Sequence, residues 1–236
     1  NYNIAIGSST LGNNTTASEN TAVGHQAMYY NTTGLENSAV GYKAMEDNTS
    51  GSYNTALGRL ALGNNTSANE NTAVGYQALY SNTTGNDNVA VGWGALFSNT
   101  TSAAGTAVGR KALYSNTTGL YNVATGYQSL ESNTTGSYNV AYGMQSLNRN
   151  TTASNNTAVG YQAGYANTTG AANLALGTLA LYSNTTANHN VAAGYVSLFS
   201  NTTGTFNVGL GSQALYSNTT ATGNTAVGYK AAYANT

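Results

Sequence analysis

The amino-acid sequence predicts an all-β protein, a β-solenoid (β-roll) of 14 coils with 17 residues per coil and two short strands per coil. The first observation is a strict 17-residue period, without insertion or deletion, across fourteen copies of the segment at 71–85, N-T-A-V-G-Y-Q-A-L-Y-S-N-T-T-G. The second is that glycine and an Asn-Thr run interrupt every copy, and both lower helix propensity. Two short strands joined by turns fit such a repeat, whereas a pair of helices does not.

Each repeat begins with an asparagine that precedes x-A-x-G, and this asparagine is position 1 of the 17 positions used below. Gly105 takes its place in one copy. In stacked β coils, identical side chains lie roughly 4.8 Å apart and asparagine amides hydrogen-bond along the axis. The column predicts a structural asparagine ladder formed by Asn3, Asn20, Asn37, Asn54, Asn71, Asn88, Asn122, Asn139, Asn156, Asn173, Asn190, Asn207 and Asn224.

The first strand is expected at T-A-V-G, positions 2–5, and the second near Q-A-L-Y, positions 7–10. A sharp turn is expected at the position-5 glycine, and a wider turn over S-N-T-T-G. Position 3 is alanine in every copy except Gly209, and position 4 is usually Val, Leu or Ile. Adjacent strand residues point to opposite faces. We therefore expect both faces of the first strand to be buried, one inside the coil and one against another copy of the chain.

Position 10 is aromatic over long stretches of the chain. Rings on neighbouring coils stabilise one another, which favours a structural ladder, and a sugar-stacking or interchain surface is the alternative. The members of this aromatic column are Tyr80, Phe97, Tyr114, Tyr165, Tyr182, Phe199, Tyr216 and Tyr233.

A second asparagine column occupies position 12, and each of its first thirteen members begins N-T-T or N-T-S. This pattern is the acceptor sequence for N-glycosylation, and it recurs once per coil on an expected exterior turn. The alternative is a turn in which asparagine tolerates left-handed geometry and threonine caps the corner, or carries O-linked sugar. The candidate N-glycosylation sites are Asn14, Asn31, Asn48, Asn65, Asn82, Asn99, Asn116, Asn133, Asn150, Asn167, Asn184, Asn201 and Asn218.

Composition and residue placement argue against catalysis and several partner classes. Charged residues make up only 6% of the chain against roughly 25% in typical domains, and the net charge of −1 gives no basic field for nucleic acid. There is no cysteine, and no apolar run long enough for membrane insertion in this segment. The histidines, His25 and His189, lie on distant coils, and no catalytic or cofactor motif is present. We interpret four carboxylates that share position 17 as solvated charge: Glu19, Glu36, Glu70 and Asp87. We therefore expect no enzyme activity, cofactor or metal site.

The register of the repeat also suggests how the chain continues. Asn1 and Tyr2 fill positions 16 and 17, and Thr236 fills position 13, so two further residues would join one copy to the next in register. We expect residues 1–236 to be a single repetitive β-solenoid segment, part of a longer fibre or one continued end to end.

The strand motif resembles repeats of a known family. N-T-A-V-G-Y-Q-A at 71–78, with N-I-A-I-G at 3–7 and N-S-A-V-G at 37–41, resembles the head repeats of trimeric autotransporter adhesins. It is also similar to repeat regions of phage tail-fibre proteins. The resemblance implies a left-handed parallel β-roll, packed as a homotrimer, with an extracellular role. The adhesin repeats are usually shorter than these, and no functional residue can be transferred.

Together these observations predict a structural extracellular fibre or adhesin shaft at a cell or virion surface. Its expected partner is itself, as a homo-oligomer and end-to-end filament, with attached or bound glycans as the other candidates. The alternatives are an ice-binding solenoid, for which threonines at positions 13 and 14 would supply hydroxyl columns, and a receptor-binding shaft of a phage tail fibre.

Overall fold

A computed structural model describes residues 2–235, so the junction predicted from Asn1 and Thr236 lies outside the described residues. The chain comprises two compact units, Asn1–Leu120 and Tyr121–Thr236. The described residues of both units form strands and turns, and no helix occurs among them. Each unit is a parallel β-solenoid with one strand in every 17-residue repeat.

The strands are three residues long and occupy positions 2–4. In the first unit they are β1 (Ile4–Ile6), β2 (Thr21–Val23), β3 (Ser38–Val40), β4 (Thr55–Leu57), β5 (Thr72–Val74), β6 (Val89–Val91) and β7 (Thr106–Val108). In the second they are β8 (Val123–Thr125), β9 (Val140–Tyr142), β10 (Thr157–Val159), β11 (Leu174–Leu176), β12 (Val191–Ala193), β13 (Val208–Leu210) and β14 (Thr225–Val227). Within each unit successive strands pair in parallel, and like positions align: Ala73 lies opposite Ala90.

The prediction of a second strand near Q-A-L-Y is wrong. Positions 7 and 9 have positive φ angles, as in Gln77 (54°) and Leu79 (53°), whereas a strand needs an extended backbone. The segment instead forms tight turns, in which the Ala78 N–H donates to the Gly75 carbonyl and the Asn82 N–H donates to Leu79. The run of small and apolar residues at positions 8 and 9 therefore reflects a chain that bends around the interior.

These turns still bond to the neighbouring coil, which explains how they tolerate left-handed residues. The Leu79 N–H donates to the Ala95 carbonyl at 2.9 Å, and the Thr83 N–H donates to Thr100 at 2.9 Å. A non-glycine residue in the left-handed region costs roughly 1–2 kcal/mol. Bonds between coils at the turns, in addition to those at the strands, help to offset this cost.

The interior of each coil is narrow and is filled from positions 3, 8 and 9. In the Asn71 repeat these are Ala73, Ala78 and Leu79, all without solvent exposure. Positions 2 and 4 face outward, and we call these side chains the outer strand face. Leu57 is 47% exposed and Leu176 is 46% exposed. The single chain therefore buries the position-3 side of the strand, as expected, and leaves the apolar side chains of position 4 partly exposed. Burial of position 4 against another copy of the chain stays a prediction.

The position-5 glycine is where neighbouring coils approach most closely. Gly75 has a φ of +133°, and a Cβ added there would lie 2.7 Å from the carbonyl oxygen of Gly92 on the next coil. Backbone of this kind is almost confined to glycine. Glycine occupies this position in all fourteen repeats, which the combination of φ and backbone contact explains.

We expect Gly75→Ala to lower the free energy of unfolding by at least about 2 kcal/mol, because it combines a forbidden φ with a clash against backbone. Gly63→Ala is the control, since its added Cβ would press on the Tyr80 ring, at 2.9 Å, which is a side chain that can move, and would lie at ordinary contact distance, 3.4 Å, from the Leu60 carbonyl oxygen. Urea unfolding followed by circular dichroism measures both variants. Equal stability of the two would contradict this account of the turn.

Candidate functional site

The first asparagine column links each coil to the next immediately before the strand. The Asn88 backbone N–H donates to Oδ1 of Asn71 at 3.0 Å, and Asn88 Nδ2 donates to the Ser102 carbonyl at 2.9 Å. The second unit repeats this pattern, with Asn139 donating to Asn122 and to Ala153. The side chain thus satisfies a backbone N–H on one coil and a turn carbonyl on its own coil, both in the interior.

The second asparagine column forms another internal ladder. Nδ2 of Asn82 donates to Oδ1 of Asn65 at 3.1 Å and to the Gly85 carbonyl at 2.9 Å. Oδ1 of Asn82 in turn accepts from Nδ2 of Asn99 at 2.8 Å. Asn82 has no solvent exposure, so both polar atoms of its amide depend on these partners.

This geometry corrects the interpretation of position 12 as an N-glycosylation site on an exterior turn. Of the thirteen candidates, Asn14 is half-buried and the other twelve are buried. An N-linked glycan is attached to Nδ2 and needs a path to solvent. In the fold, Nδ2 points inward and donates two hydrogen bonds, as at Asn82, so a glycan there is incompatible with the coil. The acceptor pattern arises because an internal asparagine is followed by threonines of the turn.

The threonines that follow this column also form hydrogen bonds between successive coils. The position-13 hydroxyl donates to the position-13 carbonyl of the next coil, as from Thr32 to Thr49 at 2.9 Å and from Thr168 to Thr185 at 2.9 Å. The position-14 hydroxyl, as in Thr84, is exposed. Each turn therefore directs one hydroxyl along the axis and presents one to solvent.

The position-10 rings stack face to face within each unit. In the first unit, Phe97 lies 5.5 Å from Tyr80 and 4.9 Å from Tyr114, measured between ring centroids. In the second, the rings from Tyr165 through Tyr233 stack at 5.0–5.3 Å with interplanar angles of 4–7°. An interior ring of the column has both faces against its neighbours, which leaves its edge, and not its face, for a sugar.

A second ladder, not predicted from the sequence, runs along position 6 of the first unit. The Arg59 guanidinium lies 5.5 Å from both the Tyr42 and the Tyr76 rings, and that of Arg110 lies 4.9 Å from Trp93. Cations held against aromatic faces are stabilising even at exposed sites. The alternation of aromatic and arginine residues at a spacing of 17 is the signal that could have identified this cation–π ladder.

One ion pair lies next to this ladder. Nζ of Lys43 lies 2.9 Å from Glu46, and the hydrogen bond to Glu46 raises the pKa of Lys43 above its ordinary value. Partial burial, together with the nearby charge of Glu46, raises the pKa of Asp47. Both effects are confined to one half-buried corner.

The two histidines, His25 and His189, do not come together into a site. His25 stacks on Tyr42, and His189 stacks on Phe206. Residues 2–235 contain no cluster of three or more potential metal ligands, and no cavity is found in that part of the chain. Among the same residues, no helix has the length and apolar character needed to cross a membrane.

The fold and its side-chain columns define the class of this protein as a parallel β-solenoid repeat protein. No family model, curated protein or solved structure matches this chain.

We expect Asn82→Asp to destabilise the fold by at least about 3 kcal/mol at pH 7, because it buries a carboxylate and deprives two carbonyl oxygens of their donor. Burial raises the folded-state pKa of the introduced carboxyl above its unfolded value of about 3.9. The charge-dependent part of the destabilisation is therefore absent well below that pH and develops as pH rises through it, whereas the loss of one of the two amide donors persists at every pH. Thermal unfolding between pH 3 and pH 7 measures the effect. Asn64→Asp, at a position where another repeat carries Asp47, is the control and is expected to change little.

We expect Phe199→Ala to cost roughly 2–3 kcal/mol, since it removes stacking on both Tyr182 and Tyr216 together with apolar burial. Near-ultraviolet circular dichroism should lose part of its tyrosine signal, because the neighbouring rings lose their fixed partner. Tyr161→Ala removes an exposed ring at position 6 and should cost under about 1 kcal/mol. A Phe199→Ala variant as stable as this control would show that the ladder is incidental.

Proposed function

We propose that this chain is a shaft segment of an extracellular fibre or adhesin, and that its function is mechanical and spatial. The observation that carries the proposal is bonding between successive coils around the whole circumference of the repeat. In the Asn71 repeat, backbone N–H groups of Thr72, Leu79 and Thr83 donate to the following coil, and those of Gly75 and Asp87 donate to the preceding one.

Such bonding suits a load-bearing shaft. Tension along the axis of a unit is shared between backbone bonds at the strand, at both turns, and at the two asparagine ladders. The side chains that vary most between repeats lie outside, at positions 6, 10, 16 and 17, so the outer surface can change while the coil is preserved. This separation is useful in a fibre that must keep its form while presenting different surfaces.

The finer architecture that we propose is a left-handed roll in a homotrimer, continued end to end, on a cell or virion surface. The exposed outer strand face supports self-association, because apolar side chains such as Leu57 and Leu176 need cover. The resemblance of the strand motif to adhesin head repeats supports the trimer and the handedness. The resemblance to tail-fibre repeats supports a receptor-binding shaft of a virion as the alternative placement.

Ice binding is the competing function, since positions 13 and 14 present threonines in axial rows. The position-13 hydroxyl protons are already donated to carbonyl oxygens, as from Thr32 to Thr49, which leaves the exposed position-14 column as the only regular donor row of this turn. A thermal-hysteresis assay separates the two functions. Ice shaping by the purified chain would favour the competing function over the shaft.

For the proposed shaft, we expect the purified chain to form a species with three times the mass of the 24.1 kDa chain and, at higher concentration, thin unbranched filaments. Sedimentation velocity measures the mass, and negative-stain microscopy shows the filaments. Gly75→Ala serves as the control, because disruption of a coil should reduce filaments without changing composition. A monomer at every concentration, with no filaments, would overturn the proposal.

A further inference from the structure

On the outer strand face of the first unit, position 4 is an apolar column along the whole unit, and position 2 beside it is mainly threonine and serine. Val40, Leu57 and Val108 are 38%, 47% and 37% exposed, respectively. All seven strands of this unit are parallel and in register, so the face has two distinct borders. Position 17 precedes every strand and forms one border, and positions 6 and 7 follow every strand and form the other.

The border before the strands is acidic. Glu19, Glu36, Glu70 and Asp87 all occupy position 17 and are exposed. Their repetition along one edge gives a row of carboxylates separated by one or two coils. We call this row the acidic border.

The border after the strands is basic. Every lysine and arginine of the first unit occupies position 6 or 7, namely Lys43, Arg59, Arg110 and Lys111. Stacking holds the Arg59 guanidinium between Tyr42 and Tyr76, so it is fixed in place while its N–H edge can still donate. We call this row the basic border. The two other acids of the unit, Glu46 and Asp47, lie beside Lys43.

The two borders also match along the axis. Glu36 and Lys43 flank the same strand, β3. Glu70 precedes β5, and Arg59 follows the adjacent strand β4. An offset of one coil is about 4.8 Å, which a long side chain can span.

Further along the unit an offset of one coil occurs in the opposite direction. Asp87 precedes β6, and Arg110 follows the adjacent strand β7. These acids and bases therefore lie within one coil of each other along the axis, on opposite borders of the outer strand face and not on a common border.

We propose that the outer strand face of the first unit binds a second copy of this chain with parallel axes, so that the acidic border of one copy meets the basic border of the other. The inference rests on the proposed self-association and specifies its face and polarity. A rotation about an axis parallel to the solenoid brings unlike borders together in any closed ring, a trimer included. Antiparallel packing would bring acid against acid and base against base, which is unfavourable.

The test uses three variants of the full chain. Glu70→Arg with Asp87→Arg makes the acidic border basic at the two places where it would meet Arg59 and Arg110, and should weaken self-association at least about tenfold, because like charges then meet there across the interface. Combining these changes with Arg59→Glu and Arg110→Glu exchanges the charges at these four positions and should restore association. Arg149→Glu changes charge away from the face and is the control, expected to associate like the unmodified chain.

Sedimentation velocity over a concentration series gives the dissociation constants, and circular dichroism checks that each variant is folded. Wild-type association should also weaken as salt rises, because the borders are exposed. If the unmodified chain associates and the variant with Glu70→Arg and Asp87→Arg associates equally well, this inference fails while the shaft proposal stands. If the unmodified chain is monomeric at every concentration, both fail. Restoration by the exchanged variant supports parallel packing.

Discussion

The axial register of 17 residues is the constraint on which the rest of the structure depends. Each repeat returns the chain to the same point on the circumference, so a donor on one coil finds an acceptor at the same or the adjacent position of the next. The bond from Val89 N–H to the Gly105 carbonyl, at 2.8 Å, is kept even where the asparagine of position 1 is absent. One inserted residue would displace every later ladder together, which explains why the period has no exception.

The interior shows why such a thin coil can be stable. Apolar burial comes from small side chains and, in most repeats, one leucine or methionine, which is little area for 17 residues. Polar groups therefore contribute a large share of the specificity. The amides of Asn71 and Asn82 place side-chain donors and acceptors inside the coil where turns would otherwise leave carbonyl oxygens unpaired.

Much of this architecture is predictable from the sequence, because periodicity is a property of the whole chain. The solenoid and the stacking of like positions follow from the spacing, and the strand predicted at positions 2–5 is found at positions 2–4. The prediction of a second strand was wrong, because the residue types of Gln77 and Leu79 do not indicate that both adopt left-handed backbone conformations. The N-glycosylation acceptor sequence led to the prediction that Asn82 lies on an exterior turn. Whether the Asn82 side chain is buried depends on the direction in which the turn points it, which the acceptor sequence does not specify. The borders beside the strands became visible only when the parallel register placed positions 17 and 6 on opposite edges.

The amides of both asparagine columns share one orientation within a unit. Every described Nδ2-to-Oδ1 bond runs from a later coil to an earlier one, as from Asn99 to Asn82 and from Asn88 to Asn71. Turning one amide over would place oxygen against oxygen on one side and nitrogen against nitrogen on the other. Turning a whole column over would keep its amide-to-amide bonds but would place each amide oxygen against a turn carbonyl oxygen, such as that of Gly85, so the direction of the row is fixed by the backbone and shared by every member.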